Sequence, residues 1–162
     1  MLVLTEDLFI AEGLIKKCYH HPSNTKLCVK ICKSVDTAKI NHEKELNYLN
    51  KIQKKDWSNL SSHLFSKFLG TTKTNLGEGY IYDLVFDEVN GKKSKTLEFY
   101  VNNNNSAEFD TELQKSIETL KNQMIKSKVF ARDLVARNIC CKVLKNGSVQ
   151  LVIVDGMGHS DF

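Results

Sequence analysis

Three polar side chains near the end of the chain have the types and spacing of a divalent-cation site. Asp133 and Asn138 lie in the segment ARDLVARN, and Asp155 ends the apolar run LVIVD. A tight hairpin would bring Asn138 and Asp155 together, because it joins the residues before its first strand to those after its second. A carboxylate beside an amide oxygen suits Mg²⁺, and a second carboxylate can accept a proton from an attacking hydroxyl. The alternative is an ordinary loop followed by an Asp-Gly turn.

A lysine upstream could supply the positive charge of such a site. In the run KLCVKICK, strand alternation places Cys28, Lys30 and Cys32 on one face, with aliphatic residues on the other. An ammonium on a covered face needs a partner. Glu45, at the edge of an apolar stripe, could point inward toward Lys30 or outward to water. A lysine held by a glutamate can neutralise phosphate oxygens, so these residues are the parts of a phosphoryl-transfer site.

The elements that must position these residues follow from hydrophobic periodicity and turn signals. Strands are predicted over 7–13, 15–22, 26–33, 62–72 and 78–91. A helix is predicted over 36–54, and a connector with four consecutive asparagines follows the strands. No internal repeat is visible.

The clearest predicted helix spans residues 106–127. Its apolar residues recur at helical intervals, at Phe109, Leu113, Ile117, Leu120 and Met124. Asn105 and Glu108 resemble a capping pair.

A hairpin should follow this helix. The segments 138–144 and 149–155 are β-rich and are joined by KNGS. An Asn-Gly pair between apolar runs is a strong hairpin signal, since both residues accept positive φ.

Composition narrows the class of protein. The chain has 162 residues, 41% of them hydrophobic and 26% charged, with a net charge of +4. This predicts a globular protein of one domain or two small lobes. The lysines are scattered rather than clustered in a basic stripe, so a nucleic-acid adaptor is the least favoured function.

Cysteine usage and the termini bear on location. The five cysteines show no zinc spacing, the first ten residues contain acids and no basic leader, and no apolar run approaches the ~20 residues of a membrane span. We therefore expect a cytoplasmic protein with free thiols and no membrane partner.

The order of these motifs resembles the protein-kinase fold, with a lysine strand, a glutamate helix, the pattern R-D-x-x-x-x-N and a late strand ending in Asp-Gly. More narrowly, the chain resembles the bacterial YrbL family, which is named for the PhoP regulatory network. The resemblance covers nearly the whole chain. It lies in KKCYHHP, LCVKI, EKELNYL, KDWS, GEGYIYDL, ARDLVARNICC and VIVDGMG.

The resemblance implies an α+β, protein-kinase-like fold. Residues 1–88 would form an antiparallel-sheet N-lobe with one long helix. Residues 89–105 would form the hinge. Residues 106–162 would form a reduced helical C-lobe with the catalytic loop and a Mg-binding hairpin, and ATP would bind between the lobes.

It also implies roles for residues of the first lobe. Gly13 would be the remaining glycine of the loop over the phosphates. Cys28 would lie against the adenine, and Lys30 would contact the α- and β-phosphates. Glu45 would pair with Lys30, with Glu43 as the alternative.

In the second lobe, Asp133 would be the catalytic base, and Asn138 and Asp155 would hold Mg²⁺. The chain departs from the kinase pattern in several ways. The loop AEG has one glycine where kinases have three, Ala131 replaces His, and Val135 stands where protein kinases usually have Lys. Arg137 could replace that charge.

Three functions are compatible with this pattern. The favoured one is an ATP-dependent phosphotransferase that acts on a hydroxyl, preferably of a protein Ser or Thr. The alternatives are a pseudokinase that binds nucleotide or a partner without transfer, and a small-molecule kinase of the aminoglycoside type. Because the kinase pattern continues past its late Asp, we expect either a fragment or a reduced kinase whose substrate surface comes from a partner protein.

Overall fold

The computed structural model describes residues 1–33, 36–54, 63–103 and 105–158. Contacts group the chain into two units. The first contains Met1–Asn50 and Lys67–Leu84, and the second contains Lys51–Ser66 and Val85–Phe162. The motif KDWS, with Trp57, lies outside the described residues.

The first unit is an antiparallel five-stranded sheet with a helix, as predicted. The strands are β1 (Phe9–Glu12), β2 (Lys16–His21), β3 (Asn24–Cys32), β4 (Phe68–Thr74) and β5 (Gly77–Asp83), in the order β1-β2-β3-β5-β4. Helix α1 (Asp36–Lys54) has the predicted bounds.

The two faces of β3 have different chemistry, as its alternation indicates. Val29 and Ile31 are buried in an apolar cluster with Leu4 and Tyr19. The opposite face carries Lys30 and the buried Cys28. The apolar face supplies the hydrophobic burial that holds the sheet together, and the polar face is the one that matters for the site.

The second unit contains a three-stranded sheet and two helices. Its elements are β6 (Lys95–Thr96), α2 (Leu97–Val101), α3 (Ala107–Ser127), β7 (Ile139–Val143) and β8 (Val149–Ile153), and the sheet order is β6-β7-β8. Helix α3 is linked to β8 because the Ser116 hydroxyl donates to the Val149 carbonyl over 2.6 Å.

Helix α3 differs from its prediction at the cap and in its stripe. The cap is Ser106, whose hydroxyl accepts from the Phe109 N–H at 3.2 Å. Asn105 instead donates to the Tyr100 carbonyl and the Asp110 carboxylate. Ile117 is 44% exposed, whereas Ser116 is buried. Its hydroxyl satisfies backbone carbonyls, so a polar residue occupies the helix face that packs on the sheet.

Two predicted strands have different bounds in the structure. The segment 62–72 is not one strand, since Phe65 forms a parallel bridge with Ile153 and β4 begins at Phe68. The segment 78–91 also divides, because the chain turns between Asp87 and Gly91, where the Gly91 N–H donates to the Asp87 carbonyl.

The predicted N-lobe, 1–88, and hinge, 89–105, stay predictions, and the grouping of contacts follows other bounds. Residues 51–66 group with the second unit, and the second unit resumes at Val85. The segment predicted to be the hinge contains a short helix, α2, which Thr96 caps by accepting from the Phe99 N–H. Pairing between segments far apart in sequence produced these differences, and local periodicity carries no information about it.

The predicted hairpin joins β7 and β8. The Gly147 N–H donates to the Leu144 carbonyl, and Gly147 has a φ of 82°. Asn146 does not adopt positive φ. Its side-chain oxygen accepts from the Ser148 N–H at 3.1 Å instead. No helix among the described residues combines the length and hydropathy that a membrane crossing requires.

Candidate functional site

The loop after α3 brings two predicted site residues into contact. Asn138 lies on a 3-10 turn, Ala136–Asn138, immediately before β7. Its Nδ2 donates to the Asp133 backbone carbonyl at 3.0 Å and to Asp133 Oδ2 at 3.1 Å. Both partners are oxygens that accept, so the amide nitrogen must face them. The five-residue spacing of the motif therefore closes a polar loop in the structure.

Gly156, three residues after the second hairpin strand, holds this loop in place through backbone hydrogen bonds. Its carbonyl accepts from the N–H groups of Arg132 and Asp133, at 2.8 and 3.2 Å. Gly156 has a φ of 77°, and a Cβ at this position would lie 2.6 Å from the Asp133 carbonyl oxygen. Glycine is required here both by the backbone conformation and by the close approach of the loop.

Asp155 completes the group. Its Oδ1 accepts from the Gly156 N–H at 3.0 Å, and the neighbouring Val154 N–H donates to the Asn138 carbonyl at 2.8 Å. The hairpin therefore brings Asp155 and Asn138 together, as the sequence predicts, and Asp133 lies beside them. All three residues belong to the second unit.

The donor set of this loop fits a hard divalent cation. The Asn138 amide uses its nitrogen on Asp133, so its Oδ1 is the atom that could bind a cation. A carbonyl-type oxygen next to the Asp155 carboxylate is the kind of ligand pair that Mg²⁺ takes, with water and phosphate oxygens as the remaining ligands. Among the described residues, no three His, Cys, Asp or Glu side chains cluster as a metal site. The described side chains of this loop therefore would share a bound cation with water or phosphate oxygens rather than enclose it.

In the first unit, Lys30 is buried on β3. It is 7% exposed, and its neighbours across the strands are Cys18 on β2 and Tyr80 on β5. Its Nζ lies 4.5 Å from the centroid of the Tyr82 ring. The ring face offers a partly desolvated ammonium electrostatic attraction.

Cys28 shares this face and is buried. Its thiol contacts that of Cys18, and this contact together with burial raises the pKa of Cys28 well above its ordinary value. Cys28 is therefore a neutral, small side chain, which suits the role against a flat base that the kinase resemblance implies.

Glu45 points inward, which answers the question that the sequence left open. It is buried, whereas Glu43 is exposed. Its Oε2 forms an ion pair with the Lys16 ammonium and lies 3.3 Å from Nδ1 of His42. The pairing of Glu45 with Lys30 stays a prediction.

The sequence interpretation missed Lys16 and His42. Lys16 occupies an inward position at the start of β2, two residues before Cys18. Strand alternation could have indicated it, because Lys16 and Cys18 share a face. His42 lies one helical turn before Glu45, at a spacing that brings helix side chains together.

His42 is fully buried beside this carboxylate. Burial lowers its pKa, and the positive charge of Lys16 acts in the same direction. Its ring meets the Tyr80 ring edge-on, with centroids 4.0 Å apart. A neutral histidine facing a carboxylate must donate from Nδ1, so Nε2 is an acceptor, and it has no hydrogen-bond partner among the described residues.

The predicted glycine loop is a plain exposed turn between β1 and β2. The Gly13 N–H donates to the Lys16 carbonyl at 2.8 Å. Gly13 has no positive φ, and a Cβ there would meet only that carbonyl, at 3.8 Å. Glu12 beside it forms ion pairs with Lys17 and Lys33, and the contact with Lys33 lowers the pKa of Glu12.

Comparison with solved structures bears on the fold. The chain is similar to the crystal structure of a kinase domain, with a TM-score of 0.62 and 17% identity, over 98% of this chain and 54% of that chain. It therefore spans about half the length of the kinase-domain chain that it matches. The likeness shows a mixed α/β, kinase-like fold with an antiparallel sheet, as the motif order predicts.

Comparison with known sequences bears on the family. The chain is 29% identical over 163 aligned residues to the uncharacterized protein YrbL of Escherichia coli K12, which covers 99% of this chain and 75% of the relative. The YrbL of Shigella flexneri matches to the same extent. Residues 2–162 match the family described as PhoP regulatory network protein YrbL. The chain therefore belongs to the YrbL family, as its motifs indicate.

Proposed function

We propose that the chain is an ATP-dependent phosphotransferase that passes phosphate to a hydroxyl acceptor, preferably on a protein serine or threonine. The observation that carries the proposal is the closed loop of the second unit, in which Asp133, Asn138 and Asp155 are held together. The kinase-like fold supports it, because phosphoryl transfer depends mainly on positioning and electrostatics.

In the second unit, Asn138 and Asp155 would hold Mg²⁺, which neutralises phosphate charge when it is bound. Asp133 would accept the proton of the acceptor hydroxyl. Its side chain is exposed, and its Oδ2 accepts a hydrogen bond from the Asn138 amide. That bond orients the carboxylate, and its exposure leaves room for a substrate hydroxyl to approach.

In the first unit, Lys30 would contact the phosphates, with Glu45 as its orienting partner. Both side chains are buried on the polar face of the sheet. An ammonium in a partly desolvated position interacts with a phosphate more strongly than a surface lysine does. Cys28 would leave space for the base.

A thermal-shift titration tests nucleotide binding. Mg-ATP should raise the melting temperature of the wild type, because a ligand that binds the folded state stabilises it by mass action. ATP with a chelator should have a smaller effect. The shift should disappear in Lys30→Met and Asp155→Asn, while Lys121→Met and Glu118→Gln, which change exposed charges on α3, serve as matched controls. Equal shifts in Asp155→Asn and wild type would contradict the metal role.

A pseudokinase is the second candidate, and two observations favour it. Glu12 lies next to Gly13 in the loop that would cover the phosphates, and its lowered pKa keeps it anionic. The missing positive φ at Gly13 also gives no sign of a phosphate-cradling loop.

Turnover separates the two candidates. Phosphate transfer from radiolabelled ATP to a generic protein substrate, and in a parallel arm to aminoglycosides, should be detectable for wild type. Transfer should be lost in Asp133→Asn, which keeps a side chain that can still contact Asn138. Mg-ATP binding without transfer to any acceptor would support the pseudokinase.

A further inference from the structure

The carboxylate that should orient Lys30 is held by a second buried lysine. Lys16 is the first residue of β2, is 5% exposed, and forms an ion pair with Oε2 of Glu45. The register pairs Lys16 with Cys32 and Cys18 with Lys30. Lys16 and Lys30 are therefore diagonal neighbours on one face of two adjacent strands.

Helix α1 meets this face through Glu45. The carboxylate is contacted from β2 by the Lys16 ammonium and from its own helix by His42 Nδ1, at 3.3 Å. His42 is neutral, because burial lowers its pKa, so it donates a hydrogen bond to Glu45 and leaves Lys16 as the charged partner of the carboxylate. The orientation of Glu45 is thus set by groups on two elements.

We propose that Lys16 is a positioning residue for phosphate transfer, which acts through Glu45 on Lys30. The inference rests on the proposed function. A carboxylate has two oxygens and can serve two donors at once. With Lys16 on Oε2, the carboxylate is fixed relative to the sheet before nucleotide binds, and the Lys30 ammonium is held where phosphate can reach it.

Lys16→Met tests the role, with Lys17→Met as its matched control. Lys17 is the next residue of β2, its side chain is 43% exposed, and its ammonium lies 3.9 Å from the half-exposed Glu12 carboxylate. Affinity for Mg-ADP would be measured by fluorescence titration at a temperature where circular dichroism shows each variant folded. Lys16→Met should weaken Mg-ADP binding about tenfold or more, as loss of an orienting partner typically does. Lys17→Met should bind as wild type does.

Lys16→Arg separates a positioning role from a merely structural one. Arginine keeps the charge but changes the donor geometry, so it should restore part of the lost affinity. A folded Lys16→Met that binds Mg-ADP as tightly as wild type would overturn the proposal. If Lys16→Met does not fold, Lys16→Arg decides. If Lys16→Arg binds Mg-ADP with an affinity between those of wild type and Lys30→Met, the role is supported. If it binds Mg-ADP as tightly as wild type, the role is overturned.

A double-mutant cycle keeps this proposal distinguishable from the proposed function. Lys16→Met, Glu45→Gln and the double variant would be compared by thermal unfolding without nucleotide. A double variant whose loss of stability is smaller than the sum of the losses in the two single variants supports the ion pair. Additive losses of stability overturn it. If the pair is coupled but wild type binds no Mg-ADP, the proposed function fails and the positioning role fails with it, while the ion pair stands.

Discussion

The polar face of the first unit and the loop of the second unit hold their functional side chains by different means. On the first, Lys16, Lys30 and Glu45 are buried, and Lys16 and Glu45 form an ion pair. On the second, Asp133 is exposed, and it is held by backbone groups of Gly156 and by the Asn138 amide. Function and stability should therefore be coupled in the first unit and largely separable in the second.

The largest expected effect is on the buried charges. Glu45→Ala removes the carboxylate that Lys16 and His42 contact and leaves a buried ammonium without it, which should cost about 3–5 kcal/mol of unfolding free energy. Glu43→Ala, an exposed position on the same helix, should change it by less than about 0.5 kcal/mol. Urea unfolding followed by circular dichroism measures both. Similar losses in the two variants would show that burial of Glu45 does not carry the stability of this face.

The second effect is at the contact between the loop and the hairpin. Gly156→Ala places a Cβ where the Asp133 carbonyl lies, in addition to the left-handed backbone cost of about 1–2 kcal/mol. Gly147→Ala is the matched control, because Gly147 has a φ of 82° and open space around a Cβ.

Gly156→Ala should therefore destabilise the protein more than Gly147→Ala does, and only Gly156→Ala should abolish stabilisation by Mg-ATP. Thermal unfolding with and without nucleotide gives both quantities. Equal losses of stability in the two variants would mean that the loop does not restrict the space for a Cβ at position 156.

A pH dependence should distinguish the two regions. His42 has a folded pKa below its ordinary value of 6.5, because burial and the positive charges of Lys16 and Lys30 lower the pKa more than the Glu45 carboxylate raises it. The ring of Tyr80 also faces His42. The unfolded chain then binds more protons between the two pKa values, so stability is full above about pH 6.5 and falls as pH drops toward the folded pKa. His42→Gln should flatten this slope. The slope is measured by urea unfolding at constant ionic strength between roughly pH 7.5 and pH 5, a range that brackets the ordinary pKa of histidine.

The outcome for His42→Gln is informative in either direction. A slope that persists unchanged would assign the acid sensitivity to other groups, such as carboxylates. His21, whose side chain lies outside this network, supplies the control variant His21→Gln, which should keep the wild-type slope.

The smallest stability effect is expected at Asn138. Asn138→Ala removes two hydrogen bonds from an exposed loop, so the unfolding free energy should fall by no more than about 1 kcal/mol. Asn138→Ala should greatly reduce the thermal stabilisation by Mg-nucleotide, because the amide oxygen is a predicted Mg²⁺ ligand. A folded Asn138→Ala that keeps the full Mg-dependent thermal shift would show that the loop is structural rather than functional.

Much of the second unit could be predicted because its signals are local. The Asn-Gly pair predicts the hairpin, and the hairpin predicts that Asn138 and Asp155 come together. The cap of α3 was missed by one residue, because Asn105 and Ser106 are both good caps and only the contact of Asn105 with Tyr100 decides between them. The turn after β5 was missed because the apolar pattern continues past the end of the strand, through Leu84, Val85 and Phe86. In the structure Phe86 instead forms a bridge with Lys93.

In the first unit, the alternation of β3 determined that Lys30 and Val29 face opposite ways, and the periodicity of α1 determined its bounds. These features depend on neighbours along the chain. The partner of Glu45 was decided by tertiary structure alone. Which lysine meets Glu45 depends on the register of β2 against β3 and on how α1 lies on the sheet. Both result from burial summed over many distant residues, which no local spacing encodes.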